Sequence, residues 1–352
     1  MAPDVRATTD ITSIIGNYYD KLMLERLTAN VVLYKMVEKK PIPKGTGKVI
    51  NFNRYTNFPV ATSLVPLTEG EVPTQTYLSG SAVTATIQQY GNWTAVSDLL
   101  EMTSFSNVIK EAVDNFGDNA AITIDSIVYL RMMSDSSTMD ESPASAQTIS
   151  TWFYGKQGGF SSIYLSADGL VISSAAILYA TLSAASASDG HTLDLDKISR
   201  MAAKLRSNNC KPYDDGYYKL YTHPKCTAYI QRTSEWATWQ AYTRPEVLDK
   251  GQVGVAHGVK IYESTIPLDV VARTSAPWAV GVSGVWNVIM GKGGIAVTEL
   301  AGEGSPSVTV KAPNKYDTSN PLNQWSTIGW KVAFTAKVLN KNCGYAFLTL
   351  VD

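Results

Sequence analysis

Few residues in this sequence could carry chemistry. The three histidines, His191, His223 and His257, lie far apart, and none falls in an HExxH pattern or beside a cysteine at metal-ligand spacing. They read as loop or cap residues. Gly291-Lys292-Gly293-Gly294 has the composition of a phosphate cradle. A P-loop, however, needs GxxxxGK[ST] between a strand and a helix, and the residues that follow here are strand-like, so the run reads as a hairpin turn. Asp194 and Asp196 would make a carboxylate pair for acid–base work, but they open a helically periodic stretch, where acids cap the first turn and favour the dipole. Asp214-Asp215-Gly216 reads as a turn. Cys210, Cys226 and Cys343 are too few and too scattered for a disulfide framework and form no CxxC pair, so a reducing cytoplasm is the simplest origin. No Ser/His/Asp or Cys/His set comes together, so no catalytic residue, metal ligand or cofactor is nominated and no enzyme is expected.

The elements that would have to position such residues say more. At 352 residues the chain is long enough for about two domains. Its 30 basic residues against 31 acidic give a net charge of -1, so bulk charge does not hold it on nucleic acid or anionic lipid. Charged residues make up 17%, against about 25% in an ordinary soluble domain, which implies that much of the surface faces protein. The N-terminus has no basic region followed by an apolar one and does not read as a secretory signal. Two uncharged stretches, 169–188 and 274–291, are long enough to span a membrane. The first is too polar and the second is broken by Pro277 and glycines, so both read as buried core.

Charge is unevenly spread. Residues 1–60 carry nine basic and five acidic side chains, whereas 61–142 carry two basic and eleven acidic. Such complementary blocks either fold back on each other or meet another copy. Ile11–Val37 reads as a helical arm stopped by Lys39-Lys40-Pro41-Ile42-Pro43. Lys48–Tyr55 and Ala82–Val96 alternate as two strands joined by about 25 residues containing Pro59, Pro66, Gly70, Pro73 and Gly80. Two strands alone are marginal in water, so this hairpin needs a surface to lie on; a pair of edge strands with a disordered connection is the alternative.

From Phe105 the period becomes helical through Val108, Ala112, Val113, Phe116, Ile124 and Val128, with Glu111, Asp114 and Asp118 opposite. Residues 134–190 are Ser/Ala/Gly-rich and show no assignable fold. A helix is expected from Asp194 with a stop at Ser207-Asn208-Asn209, a strand at Tyr217–Thr222, and a helix opened by Pro224 and running toward Trp236 and Trp239. The rest is β-rich and ends in Trp330–Leu339 and Tyr345–Val351, which read as a closing hairpin. No internal repeat is evident.

This order resembles the major capsid proteins of tailed bacteriophages with the Hong Kong 97-type fold. The wording resembles the N-four-type branch: Lys39-Lys40-Pro41-Ile42-Pro43-Lys44 through Gly47-Lys48-Val49-Ile50-Asn51-Phe52, Pro66-Leu67-Thr68-Glu69-Gly70, Gln89-Tyr90-Gly91, Gly251-Gln252-Val253-Gly254 with Gly258-Val259-Lys260-Ile261-Tyr262-Glu263, and Pro321-Leu322-Asn323-Gln324 through Gly329-Trp330-Lys331. The resemblance implies an α+β fold with an N-terminal arm (1–40), an extended loop (41–97), a peripheral domain (98–133 and 311–352), an insertion (134–190) and an axial domain (191–310). It implies a non-enzymatic structural protein that assembles with itself, as hexamers and pentamers, into an icosahedral shell around double-stranded DNA. Scaffolding, portal and decoration proteins are further implied partners; no membrane, cofactor or sequence-specific DNA binding is. The implied location is the virion, assembled in the host bacterial cytoplasm. Lys44, Lys48 and Arg54 of the loop would meet Glu101, Glu111 and Asp114 of another copy. Some family members crosslink a loop Lys to an Asn, but no motif here supports that for Lys44 or Lys48. An encapsulin-type compartment shell of the same fold is the alternative, and a small soluble enzyme is a rival from another class.

Overall fold

The computed structural model describes residues 21–23, 25–27, 31–43, 45, 47–55, 69–70, 77–104, 108–133, 161–166, 169–172, 192–233, 236, 252–267, 269–271, 283–300, 306–311, 322 and 324–351. Much of 134–190 and the first ten residues of the expected helical arm therefore lie outside the described residues.

The expected hairpin forms. Strand β2 (Val49–Tyr55) pairs antiparallel with β3 (Gly80–Thr86), with Phe52 opposite Val83, and this two-stranded sheet pairs with no other described strand. At Ile87, whose N–H bonds the Lys48 carbonyl at 2.9 Å, the chain passes from the hairpin into β4 (Gln88–Ser97). Strand β4 lies against ten residues of β14 (Trp325–Val338), so the loop expected over 41–97 ends about ten residues early: 88–97 belong to the body. The apolar positions Tyr90 and Val96 fit the face of a larger sheet, which outweighs local continuity of the strand.

Five strands make that sheet. β14 has β4 on one edge; along the other run β12 (Ile295–Glu299) and β13 (Ser307–Lys311), and β1 (Glu38–Lys39) adds parallel to β12. The even-numbered residues of β14 from Ile328 to Val338 are buried beneath α3 (Val108–Met133), and the odd-numbered Trp325 and Lys331 point outward. Short helix α2 (Asp98–Thr103) links β4 to α3, and the Ser97 hydroxyl at its N-cap accepts the Leu100 N–H. The N-terminal arm folds back on the same chain: Met23, Leu27, Leu33, Tyr34 and Met36, the last three in the turn α1 (Leu33–Met36), are buried against α3 and this sheet.

The second sheet has eight strands in the order β6 (Gly169–Ile172), β5 (Ser161–Ser166), β15 (Gly344–Val351), β11 (Ser283–Met290), β7 (Tyr218–Thr222), β9 (Val259–Glu263), β8 (Gln252–Ala256), with β10 (Asp269–Val271) also on β11. Two expectations are corrected here. The closing hairpin does not form, because β15 pairs with β11 over eight residues while β14 stays in the five-stranded sheet; segment 311–352 thus divides between the two sheets. For the same reason Gly291–Gly294 is a crossover from β11 to β12 and no hairpin turn. Two strands of the unassigned 134–190 segment extend the edge of the eight-stranded sheet, β5 running parallel to β15.

Alternation along the eight-stranded sheet divides two cores. One face, with Tyr221, Trp286, Val288 and Met290, packs toward α3 and the five-stranded sheet; the other, with Leu220, Val259, Ile261, Ile289 and Phe347, is covered by α4 (Leu195–Ser207) and α5 (Pro224–Gln231). Helix α3 ties the first core together, since the Tyr129 hydroxyl donates to the Trp286 carbonyl at 2.9 Å while Trp330 Nε1 donates to Asn119 at 3.2 Å. The cap readings agree with the structure: Asp194 accepts the Lys197 N–H at the N-cap of α4, and His223 Nδ1 accepts the Lys225 N–H before Pro224. Helix α5 ends at Gln231, short of the expected Trp236, itself a buried residue.

Candidate assembly surface

The β2–β3 hairpin forms a two-stranded sheet of its own among the described strands. Along β2 and β3 the side chains of Val49, Asn51, Asn53, Tyr55, Ala82, Thr84 and Thr86 are exposed, Ile50, Phe52 and Val83 are half-buried, and Ala85 is buried. Tyr77 and Leu78, leading into β3, are 78% and 59% exposed. Strands of this length bury too little apolar area to hold a pair together in water, and this hairpin presents large apolar side chains outward.

A second exposed apolar set lies where β4 leads into α2. Trp93 is 69% exposed on the outer face of the five-stranded sheet, directly across from Gly329, which has no side chain to cover it. A side chain at Gly329 would meet Trp93 Cβ at 2.9 Å, so the two strands depend on this glycine for their close approach. Leu99, Leu100 and Met102 of α2 are exposed as well, with Leu322 and Trp325 alongside the end of β4. The signal for this set was present in the sequence as apolar residues in a short helix just after a strand, but sequence reasoning did not single it out.

The charged residues expected at an interface fall into three groups. Lys48 is exposed at the base of the hairpin, and Glu111 is exposed in the first turn of α3 with Asp114 half-buried one turn on. Arg54 occupies a position in β2 opposite Ser81, and Glu101 a position in α2; their side chains lie outside the described residues, as does all of Lys44. Within one chain the described residues do not join Lys48 to either acid. Part of the charge asymmetry is settled internally: Arg26 of the arm pairs with Asp118 on α3 at 2.9 Å, and this hydrogen bond, with the charges of Asp118 and Asp114, raises the Arg26 pKa.

Deeper in, the arm is anchored by buried polar contacts. The Asp125 carboxylate accepts the backbone N–H groups of Val32, Leu33 and Tyr34 at 2.8, 3.0 and 2.9 Å, capping α1, which has no cap of its own. Burial pushes the Asp125 pKa up, against these three hydrogen bonds and the charge of Lys35. Tyr34 also donates to Glu299, which pairs with Lys39 at 3.3 Å, and the Lys39 ammonium lies 4.0 Å from the centre of the Tyr34 ring.

Reactive side chains are buried or engaged. Cys210, Cys226 and Cys343 are buried thiols; the hydrogen bond with Cys343 and then burial push the Cys210 pKa up, and burial pushes that of Cys226 up against the hydrogen bonds with Thr349, Thr222, Asn287 and His223. Cys226 belongs to a closed network in which Thr222 donates to Asn287 at 2.6 Å and Asn287 donates to Thr349 at 2.8 Å. Among the described residues there is no His/Cys/Asp/Glu cluster able to hold a metal, and no helix is long and apolar enough to cross a membrane.

No family profile and no curated protein sequence matches this chain. Solved structures do. The capsid of Ralstonia phage GP4 superposes with a TM-score of 0.63 at 11% identity, covering 89% of this chain and 87% of that one. A chain of the cyanophage Pam1 capsid gives 0.60 at 13% identity, covering 92% and 91%. A virus-like particle from Pyrococcus furiosus gives 0.50 at 10% identity, covering 95% and 99%. The chain therefore shares the fold of phage capsid chains over nearly its whole length.

Proposed function

We propose that this chain is the major capsid protein of a tailed bacteriophage, of the Hong Kong 97-type fold and the N-four-type branch, and acts without catalysis. The observation that carries this is the hairpin of β2 and β3, which pairs with no other described strand and exposes Tyr55, Tyr77 and Leu78. Such an element gains its stability when a neighbouring copy supplies the missing surface. The exposed Trp93, Leu99, Leu100 and Met102 set is apolar area of the kind that interfaces cover. The fold shared with phage capsid chains supports the same reading.

In this reading copies associate as hexamers and pentamers into an icosahedral shell around double-stranded DNA, assembled in the host cytoplasm and ending in the virion. Scaffolding, portal and decoration proteins are its further partners. The loop cations Lys44, Lys48 and Arg54 meet Glu101, Glu111 and Asp114 of an adjacent copy. The five-stranded sheet with α3 forms the peripheral domain, and the eight-stranded sheet with α4 and α5 forms most of the axial domain. Electron microscopy of the purified protein tests the proposal: closed shells of uniform size are expected, and a small oligomer at every concentration and salt condition would overturn it.

A further inference from the structure

We infer that the loop cluster at the start of β7, carrying Lys211, together with the last turn of α4, carrying Lys204 and Arg206, is a contact surface for the phosphate backbone of duplex DNA. The inference rests on the shell reading above and adds which surface of the subunit faces the enclosed nucleic acid.

Four loops converge at this end of the eight-stranded sheet. The Lys292 N–H bonds the Lys211 carbonyl at 2.9 Å, the Gly291 N–H bonds the Cys343 carbonyl at 2.9 Å, and the Tyr218 N–H bonds the Gly258 carbonyl at 2.9 Å. Arg206 donates to the His257 carbonyl at 3.2 Å, and the Asn208 amide donates to the Asn342 carbonyl at 3.3 Å. These bonds hold the cluster as one rigid surface. Among the described residues Lys204, Arg206, Lys211, Lys260 and Lys292 stand here beside three carboxylates, and each carboxylate is taken: Lys292 pairs with Asp214, Lys260 pairs with Asp215 at 2.8 Å, and Glu38, whose charge also reaches Lys292, pairs with Lys40 at 3.5 Å. Burial pushes the Asp215 pKa up, but the bonds from Lys260 and the Tyr217 N–H outweigh it and hold it below the usual carboxylate value. Lys204, Arg206 and Lys211 remain in excess, and no described carboxylate is ion-paired with any of them. Arg206 and Lys211 are exposed, and the Lys204 ammonium lies 5.9 Å from the centre of the Tyr345 ring.

The chemistry distinguishes a phosphate partner from a second copy of the chain. A stable protein interface has an apolar core, and within this cluster Tyr217, at 37%, is the one large apolar side chain exposed among the described residues. Lysine, arginine and asparagine around backbone N–H groups are the donors that position phosphates without reading sequence. A local excess of three charges gives weak binding, which suits a shell that must accept any sequence of DNA while the chain as a whole carries a net charge of -1.

The test uses full-length subunits and a short duplex of random sequence, with binding followed by fluorescence anisotropy over a salt series. Wild type should bind with a log–log salt slope of about -3, and each cation removed should lower its magnitude by about 1. The variants are Lys211→Gln alone, on an exposed loop where folding is not at risk, and the combination of Lys204→Gln, Arg206→Gln and Lys211→Gln. Both should form shells at wild-type yield. An unchanged slope in a folded variant overturns the inference. So does loss of shells with duplex binding intact, which would place another copy on this surface. If wild type itself forms no shells, the shell reading fails separately, whatever the duplex measurement gives.

Discussion

Asp125 and Tyr34 meet across 91 residues of sequence, the carboxylate Oδ1 accepting the Tyr34 backbone N–H at 2.9 Å inside the first core. The other carboxylate oxygen takes the N–H groups of Val32 and Leu33, so one side chain of α3 holds the whole start of α1. Asp125→Ala would remove the acceptor of three backbone N–H groups, those of Leu33 and Tyr34 buried and that of Val32 half-buried, and should cost about 3 kcal/mol, measured by urea unfolding. The pH dependence follows from the raised pKa. Between the unfolded value and the higher folded one, the folded chain holds the proton that the unfolded chain has lost, so the contribution of Asp125 falls as pH rises through that window. The difference between wild type and Asp125→Ala should therefore narrow as pH rises; a widening difference would contradict the dominance of burial.

Lys48 and Ile87 close the base of the hairpin with a backbone hydrogen bond, so 49–86 can be replaced by a short Gly-Ser turn between them. The shortened subunit should remain soluble with its helical circular dichroism intact and should fail to form shells. Loss of helix signal would show that the hairpin is part of the folding core.

Phe116 of α3 lies in the core that also holds Phe334 and Val338 of β14. Phe116→Ala should cost about 3 to 5 kcal/mol, the range for truncating a buried aromatic. A loss below about 1 kcal/mol in chemical denaturation would place that helix face at the surface.

Gly291 begins the crossover between the sheets, and a side chain there would meet the Cys210 Sγ at 2.5 Å and the Lys211 carbonyl at 2.9 Å. Because the obstacles are a buried thiol and a backbone carbonyl, Gly291→Ala should destabilise by about 1 to 3 kcal/mol, read as a lower melting temperature.

Lys48→Glu should depress shell yield by light scattering, and Glu111→Lys on the same chain should recover part of it if the hairpin of one copy meets α3 of the next. Raising salt well above physiological strength should weaken wild-type assembly in the same direction. Folded double variants with no recovery would mean that these two charges do not meet.

The amphipathic stripe of α3, the cap at Asp194, the proline start of α5 and the alternation of β2 and β3 were all legible, because each depends on neighbours within a few residues. The closing hairpin was misread for a related reason. Two alternating runs joined by Asn340–Gly344 satisfy every local condition for a hairpin, and nothing local reports that Gly344–Val351 finds a longer partner in β11. The exposed Trp93 and Leu99 were likewise passed over, since an apolar residue in a strand or helix looks the same in sequence whether it faces a core or solvent.

By itself the sequence determined the local periods, the caps and the separation of positive and negative charge along the chain. Tertiary structure alone decided which strands pair, that β14 and β15 part into different sheets, and that Arg26 spends its charge on Asp118 of the same subunit. The physical reason is range. Helix stripes and caps are set by hydrogen bonds and packing between residues three or four apart, whereas sheet partners compete across hundreds of residues for the same backbone groups and are chosen by the burial that the whole arrangement achieves.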